Sequence, residues 1–236
     1  MHIIPVVDLK GGLVVHARRG ARDSYGPIVT PLSTTSAPQD VVRGLMALHP
    51  FSTLYIADLD AIAGLPGHTE AVSAIARAFP SLTLWLDNGA GDAGGVARTL
   101  AMGASQVLGS ETQVDTALVA RYRHDPRVIL SLDFRGLAFQ GPPALLALPD
   151  LWPHQVIAMT LAKVGSGTGP DMERLAQIKA ASDARAIYAA GGVRHIEDAQ
   201  ALQQAGISGA LIATALHEGR LTAGDLARLS AARTAS

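Results

Sequence analysis

The feature that most constrains this chain is a strict alternation of short apolar runs with amphipathic segments from one end to the other. Eight apolar runs predict strands, at residues 3–7, 53–57, 82–86, 106–108, 128–132, 155–159, 186–189 and 209–212. The intervening segments predict helices, at residues 39–48, 69–78, 93–102, 115–124, 144–152, 171–181, 196–205 and 223–232. A chain that alternates strand and helix in this way forms a parallel sheet of the α/β class.

Eight strand–helix units in 236 residues favour closure into a single (β/α)8 barrel, the TIM-barrel architecture, over an open doubly wound sheet. The open sheet is the alternative, but no Gly-x-Gly-x-x-Gly stretch follows the first strand, which disfavours its dinucleotide-binding form. We therefore expect one domain over residues 1–236. Its functional side chains should follow the carboxyl ends of the strands, as they do in barrel enzymes.

The two halves of the chain resemble each other. Asp8 ends the first apolar run and Asp133 ends the fifth, 125 positions later. Two further pairs of segments follow in the same order: residues 87–91 resemble 190–194, and residues 108–110 resemble 212–214. Three such similarities in one order predict a barrel built from two half-barrel repeats.

Composition excludes several classes of protein. The net charge of −1 gives no electrostatic signature of nucleic-acid binding. The chain has no cysteine, and its histidines show no metal-ligand spacing, so we expect no metal site. No apolar run reaches the roughly 20 residues that cross a bilayer, and the first residues lead directly into a strand. We therefore expect a cytoplasmic protein that does not bind membranes, while its oligomeric state stays open.

Two carboxylates are the strongest catalytic candidates. Asp8 and Asp133 end strands that face each other across an eight-stranded barrel, so a substrate bound between them could meet an acid and a base. The alternative is that each aspartate caps the helix or loop that follows it. A symmetric pair favours the catalytic interpretation.

Small residues after the last two strands suggest a phosphate site. Gly191 and Gly192 follow the seventh strand, and Ala213 and Thr214 follow the eighth. Backbone N–H groups and a short helix there commonly bind phosphate in (β/α)8 barrels. A Gly-Gly pair alone is a weak signal, but its position after a strand strengthens it. A small phosphorylated substrate is the expected partner.

Two basic segments are harder to interpret. Lys163 and Ser166 lie in a glycine-rich loop after the sixth strand, which could close over a substrate or be an ordinary solvated loop. Lys163 could pair with a phosphate or form an imine. Arg18, Arg19 and Arg22 in the first loop could hold an anion or be a solvated run of charge.

At several points the sequence resembles the histidine-biosynthesis barrel family, which contains an aldose–ketose isomerase acting on a phosphoribosylated imidazole carboxamide precursor and a sibling cyclase. The resemblance covers essentially the whole chain and is closer to the isomerase. It rests on residues 3–9 and 12–15, on Ala-Asp-Leu-Asp-Ala at 57–61, on Ala-Gly-Gly-Val at 190–193 and on residues 213–219.

The resemblance implies a mechanism without a cofactor. Asp8 would be the general base and Asp133 the general acid of an Amadori rearrangement, in which an aminoaldose becomes an aminoketose. One phosphate would lie at the glycines and small residues after strands seven and eight. The loops after strands three and four would hold the other end of the substrate, at Asn88, Gly89, Gly109 and Ser110.

The sequence departs from the isomerase pattern in half of the expected site. Where the family has three glycines, isoleucine and arginine, this chain has Asp87, Asn88, Gly89, Ala90 and Gly91. The arginine for the second phosphate is absent and a carboxylate has been gained, which would repel a phosphate dianion. The family's Asp-Gly-Thr after strand six reads Val-Gly-Ser at 164–166, and Phe139 stands in for a tryptophan.

These departures favour a paralogue with the same fold and acid–base pair but a changed substrate. The first loop, residues 18–31, resembles that of isomerase-like proteins found beside genes for the methanopterin-type one-carbon cofactor. The alternatives are the authentic histidine-pathway isomerase and a non-catalytic barrel that binds a phosphorylated metabolite.

Overall fold

The computed structural model describes residues 1–17, 22–164 and 169–231 as a closed barrel of eight parallel strands. The barrel strands are β1 (His2–Lys10), β3 (Thr53–Asp58), β4 (Thr83–Asp87), β5 (Ser105–Gly109), β6 (Val128–Arg135), β8 (Gln155–Thr160), β9 (Ala186–Ala190) and β10 (Gly209–Ile212). They follow one another around the barrel in this order, and β10 pairs with β1 to close the sheet. The short strands β2 and β7 lie outside the barrel. The predicted barrel is confirmed, with all eight strands at the predicted places.

Ten α-helices lie within the described residues and cover the outside and the loops of the barrel. From α1 to α10 they are Pro38–Leu48, Leu59–Ile62, Thr69–Ala78, Ala93–Ala101, Ala117–Tyr122, Pro143–Ala147, Met172–Ala181, Ile196–Gln204, Thr214–His217 and Ala223–Ala231. No helix in these ranges combines the length and apolar character needed to cross a membrane.

The sequence-based helix boundaries are wrong in the middle of the chain. The helix predicted at residues 144–152 is only the five-residue α6, because Pro149 cannot continue the helix and starts a separate 3-10 turn, Pro149–Leu151. The helix predicted at residues 115–124 is only six residues long, α5. Helices α2 and α9 are four residues each; α2 was not predicted, whereas α9 is the short helix expected after the eighth barrel strand.

The strands are buried on both faces. One apolar cluster fills the barrel interior, where the rings of Trp85 and Tyr188 pack edge to face with centroids 4.9 Å apart. A larger cluster lies between the strands and the helices. Strand β3 shows the alternation: Tyr55 belongs to the interior cluster, and Leu54 and Ile56 belong to the outer one. This double burial explains why the sequence shows continuous apolar runs.

Two short strands outside the barrel reveal the repeat. Strand β2 (Leu13–Val15) pairs antiparallel with β1, and β7 (Ala138–Gln140) pairs antiparallel with β6. Asp8 pairs with Val15, and Asp133 pairs with Gln140, so both partners lie 125 positions apart like the aspartates themselves. The two half-barrels therefore present Asp8 and Asp133 on equivalent hairpins.

Candidate active site

An open cavity of about 990 Å³ lies at the carboxyl ends of the barrel strands. This volume includes open solvent at the cavity mouth. The cavity brings together residues from all parts of the chain; its polar lining includes Asp8, Arg22, Tyr25, Tyr55, Asp87, Glu111, Asp133, Lys163, Thr214 and Arg220. The location agrees with the expectation that functional groups follow the strands.

Asp133 is held in the cavity by three donors. Its carboxylate accepts hydrogen bonds from Ser131 Oγ at 2.6 Å, from Ser110 Oγ at 3.3 Å and from the Glu111 N–H at 3.2 Å. These donors lie on β6 itself or after β5, so Asp133 does not cap the segment that follows it. Burial raises the pKa of Asp133 to about 7, against the lowering effect of the Ser131 hydrogen bond.

Asp8 lies on the edge of the same cavity and is only partly buried. Desolvation raises the pKa of Asp8 to about 7, while the positive charge of Arg22 acts in the opposite direction. Two carboxyl groups with pKa values near neutrality can each hold or release a proton at physiological pH, as acid–base chemistry requires.

Asp87 is a third buried carboxyl group in the cavity. It accepts hydrogen bonds from Tyr55 Oη at 3.1 Å and from the Gly89 N–H at 3.2 Å. Burial raises the pKa of Asp87 to about 6. Burial and the nearby carboxylates of Asp87, Asp133 and Asp8 raise the pKa of the Tyr55 phenol well above its ordinary value. Tyr55 therefore stays protonated and donates to Asp87.

Arg22 lies in the cavity rather than in solvent. Its guanidinium forms an ion pair with Glu111, which is 89 positions later in the chain. The arginine also lowers the pKa values of Asp8 and Asp87. Of the basic run in the first loop, Arg18 and Arg19 lie outside the described residues. Glu111 and Tyr55 also line the cavity and were not predicted from the sequence, although Glu111 directly follows the predicted Ser110.

The predicted phosphate residues after the last two barrel strands all line the cavity. Gly191 and Gly192 have φ angles of 97° and 92°, which favour glycine. A Cβ at Gly192 would lie 2.2 Å from the Gly169 carbonyl oxygen, so a larger residue does not fit. Thr214 begins helix α9 directly after β10. All four predicted residues are partly exposed and line this side of the cavity.

The residues predicted to hold the other end of the substrate do not line the cavity. The Asn88 side chain donates to Thr99 Oγ1 and accepts from Gln106 Nε2, beneath helix α4. The Ser110 hydroxyl shares its single proton between the Gln140 carbonyl oxygen, at 2.7 Å, and the more distant Asp133 carboxylate, and it accepts from the Asp133 N–H. Gly89 packs against helix α2. Gly109 lies next to the carboxylates of Asp87 and Asp133, which would be 3.4 Å and 3.3 Å from a Cβ at this position.

The loop after the sixth barrel strand contributes Lys163 to the cavity. Lys163 ends a 3-10 turn, Leu161–Lys163, that follows β8. Its Cβ atom lies 3.3 Å from the position that a Cβ at Gly191 would occupy, so its stem adjoins the glycine pair. The other predicted residue of this loop, Ser166, lies outside the described residues.

Asp58 also follows a strand, but its role is structural. It caps helix α2 by accepting from the Ala61 N–H at 3.2 Å. It also accepts from the His68 N–H at 2.6 Å and lies 2.8 Å from His68 Nδ1. On the other side of the ring, His68 Nε2 accepts from the Gly12 N–H at 2.8 Å. Asp58 and His68 thereby tie the β1–β2 hairpin, which carries Asp8, to the neighbouring loop.

Comparison with known proteins shows the family to which the chain belongs. The profile of the family described as "Histidine biosynthesis protein" matches residues 2–222. An imidazole-4-carboxamide isomerase of Thermus thermophilus, whose full name specifies two phosphoribosyl groups, is 31% identical over 236 aligned positions, covering 94% of this chain and 96% of its own. Phosphoribosyl isomerase A of Streptomyces coelicolor is 29% identical, covering 92% and 93%.

An uncharacterized protein of Methanocaldococcus jannaschii is also similar, 27% identical over 94% of this chain and 95% of its own. The family profile extends over nearly the whole barrel, including both aspartate-bearing hairpins, and each of these relatives aligns with more than nine-tenths of the chain. The chain belongs to the histidine biosynthesis protein family, which includes phosphoribosyl isomerases.

Proposed function

We propose that this protein is an acid–base isomerase that converts a phosphorylated aminoaldose into the corresponding aminoketose. The observation that carries the proposal is the pair of carboxyl groups, Asp8 and Asp133, which lie on equivalent hairpins and line one cavity. Their pKa values of about 7 suit a base and an acid at neutral pH. The named isomerases among the relatives act on phosphoribosyl compounds, which supports the reaction class.

In the proposed reaction Asp133 protonates the ring oxygen of the sugar, and the C1–O bond breaks to give an open-chain imine. Asp8 then removes the proton from C2, and the electron pair forms the C1–C2 double bond of an enolamine. C1 then receives a proton that Asp8 has exchanged with solvent, and the C2 hydroxyl loses its proton to Asp133, which gives the ketose. Both carboxyl groups return to their starting protonation states, so the protons balance. The reaction is an isomerisation, so it consumes no water, oxidant or reductant.

We further propose that the substrate differs from that of the histidine-pathway isomerases. Asp87 stands where the family has the first glycine of its third-strand loop, and its carboxylate lines the cavity. A phosphate beside Asp87, Asp133 and Glu111 would meet several like charges in a partly dry site, at a cost of several kcal/mol. Gly91, where the family has an arginine, supplies no compensating charge.

On this basis one phosphate is bound, at Gly191, Gly192, Ala213 and Thr214. Lys163 is close enough to this end to pair with the phosphate. The roles of Ser166 and of a methanopterin-type pathway stay predictions that rest on the sequence alone.

A spectrophotometric assay with two aminoaldoses tests the proposal. One is the histidine-pathway compound with two phosphoribosyl groups, and the other is an N-phosphoribosyl arylamine with one phosphate. The proposal expects turnover of the single-phosphate compound that is lost in Asp8→Asn and in Asp133→Asn. Efficient turnover of the two-phosphate compound would instead identify the authentic pathway isomerase. Tight binding of both without turnover would identify a non-catalytic phosphometabolite-binding barrel.

A further inference from the structure

The charged side chains of the cavity separate into two ends. Lys163 follows β8, and Arg220, which is ion-paired with Glu218, follows helix α9 after β10. Both basic side chains line the cavity on the arc of the glycine pair. Asp87 ends β4, Glu111 follows β5, and Asp133 lies on β6. In the closed strand order, β4 lies opposite β9 and β5 lies opposite β10. The cavity therefore has a basic end and, across the barrel, an acidic end.

The acidic end is only partly neutralised by the described residues. Arg22 is paired with Glu111 and attracts Asp87 at longer range. The direct hydrogen bonds to Asp87 come from neutral donors, the Tyr55 hydroxyl and the Gly89 N–H. Asp133 likewise receives hydroxyl and N–H donors without a cation. This end consequently has a surplus of carboxyl groups over cations.

Two of these carboxyl groups, those of Asp87 and Asp133, lie near each other in the cavity. Asp87 Oδ2 and Asp133 Oδ2 lie 3.4 Å and 3.3 Å from the single point that a Cβ at Gly109 would occupy. The two oxygens are therefore at most about 7 Å apart. A protonated nitrogen beside Asp87 could form a charge-assisted hydrogen bond with its carboxylate, while Asp133 stays protonated as the general acid.

We infer that the substrate is bipolar: a single phosphate binds at the basic end, and a protonated nitrogen group, an ammonium or amidinium, binds at Asp87 in the acidic end. Asp87 is then a specificity-determining residue. It attracts the cationic group and excludes a second phosphate, because the two halves of the cavity have opposite charge. This inference rests on the proposed function, since both use the same cavity and the same phosphate site.

Three ligands with the same six-carbon chain and different groups at the far end test the inference: 6-aminohexyl phosphate, hexyl phosphate and hexane-1,6-diol bisphosphate. Their dissociation constants are measured by isothermal titration calorimetry on the full chain at neutral pH. The variants are Asp87→Asn and, as a matched control, Asp150→Asn, whose side chain is exposed and outside the cavity. Asn can still accept from the Gly89 N–H, and circular dichroism checks that each variant is folded.

The wild-type protein should bind 6-aminohexyl phosphate roughly tenfold more tightly than hexyl phosphate, the effect of one favourable ion pair in a partly buried site. It should bind the bisphosphate most weakly. Asp87→Asn should abolish most of the amino preference and improve bisphosphate binding, whereas Asp150→Asn should change neither.

Equal binding of 6-aminohexyl phosphate and hexyl phosphate, or tightest binding of the bisphosphate, would overturn the inference and leave the phosphate site intact. An amino preference that Asp87→Asn does not reduce would overturn the role of Asp87. Failure of all three phosphates to bind would overturn the phosphate site of the proposed function, and the bipolar substrate with it.

Discussion

Replacement of Asp8 by Asn should stabilise the protein at neutral pH while it abolishes turnover. Burial raises the pKa of Asp8 from 3.8 to about 7, so the folded protein holds this proton more tightly than the unfolded chain. In strong acid the carboxyl group is protonated in both the folded and the unfolded state, so its ionisation does not change the free energy of unfolding. As the pH rises from about 4 to about 7, the unfolded chain ionises first, and the free energy of unfolding falls. Asn has no proton to lose and avoids this decline.

The magnitude follows from the size of the shift. One pKa unit corresponds to about 1.4 kcal/mol, so a rise from 3.8 to about 7 sets an upper bound of roughly 4 kcal/mol above pH 7. Asp8 is only partly buried, and solvent screening reduces this figure. We therefore expect Asp8→Asn to gain about 2 kcal/mol at pH 8, or roughly 4–8 °C in Tm for a domain of this size.

Urea unfolding at pH 4.5 and at pH 8 measures this effect for the wild-type protein, Asp8→Asn and the exposed control Asp150→Asn. The advantage of Asp8→Asn should be small at the lower pH and should grow at the higher pH, whereas the control should track the wild type at both. The reasoning would be refuted if Asp8→Asn were no more stable than the wild type at pH 8. It would also be refuted if the advantage were independent of pH.

Three further predictions concern activity and the phosphate site. The kcat/KM of the isomerisation should peak near pH 7 and fall on both sides, because Asp8 must be ionised and Asp133 protonated although each has a pKa of about 7; a flat profile from pH 5 to 9 would contradict this. Arg22→Gln should move the acidic limb of that profile to higher pH, because the arginine lowers the pKa of Asp8; an unchanged limb would argue against this electrostatic link. Gly192→Ala should destabilise the protein in thermal unfolding and weaken phosphate binding in calorimetry, because its Cβ would lie 2.2 Å from a backbone carbonyl oxygen. Gly103→Ala, with a similar φ of 81° and open space around it, should cost only the roughly 1 kcal/mol of backbone strain, and equal losses in the two variants would count against steric exclusion at Gly192.

The barrel was predictable because its signal is periodic and local. Each of the eight strands is an apolar run followed by a helical segment, and the hydrophobic pattern alone determines the order of elements. The strands β2 and β7 were not predictable in the same way. They are three residues long, and such short segments carry no periodicity. The equivalent positions of Asp8 and Asp133 in the two repeats could be predicted from the sequence, but the β1–β2 and β6–β7 hairpins that hold them could not.

The electrostatics of the cavity depend on contacts between distant parts of the chain. Arg22 meets Glu111 across 89 positions, and Tyr55 meets Asp87 across 32, and no local pattern announces either contact. The residues after the third and fourth barrel strands, β4 and β5, show that a position after a strand does not by itself place a side chain in the cavity. Asn88 and Ser110 follow strands as site residues should, but their side chains are used in hydrogen bonds that hold the loops.

Solvent-deuterium incorporation tests the central claim, acid–base isomerisation by Asp8 and Asp133, most directly. The protein is incubated in D2O with an N-phosphoribosyl arylamine, and the product is analysed by proton NMR. The account predicts an aminoketose with one deuterium at C1, formed by the wild type and not by folded Asp8→Asn or Asp133→Asn. Absence of deuterated ketose from the folded wild-type protein, or its formation at an unchanged rate by Asp8→Asn, would contradict the account.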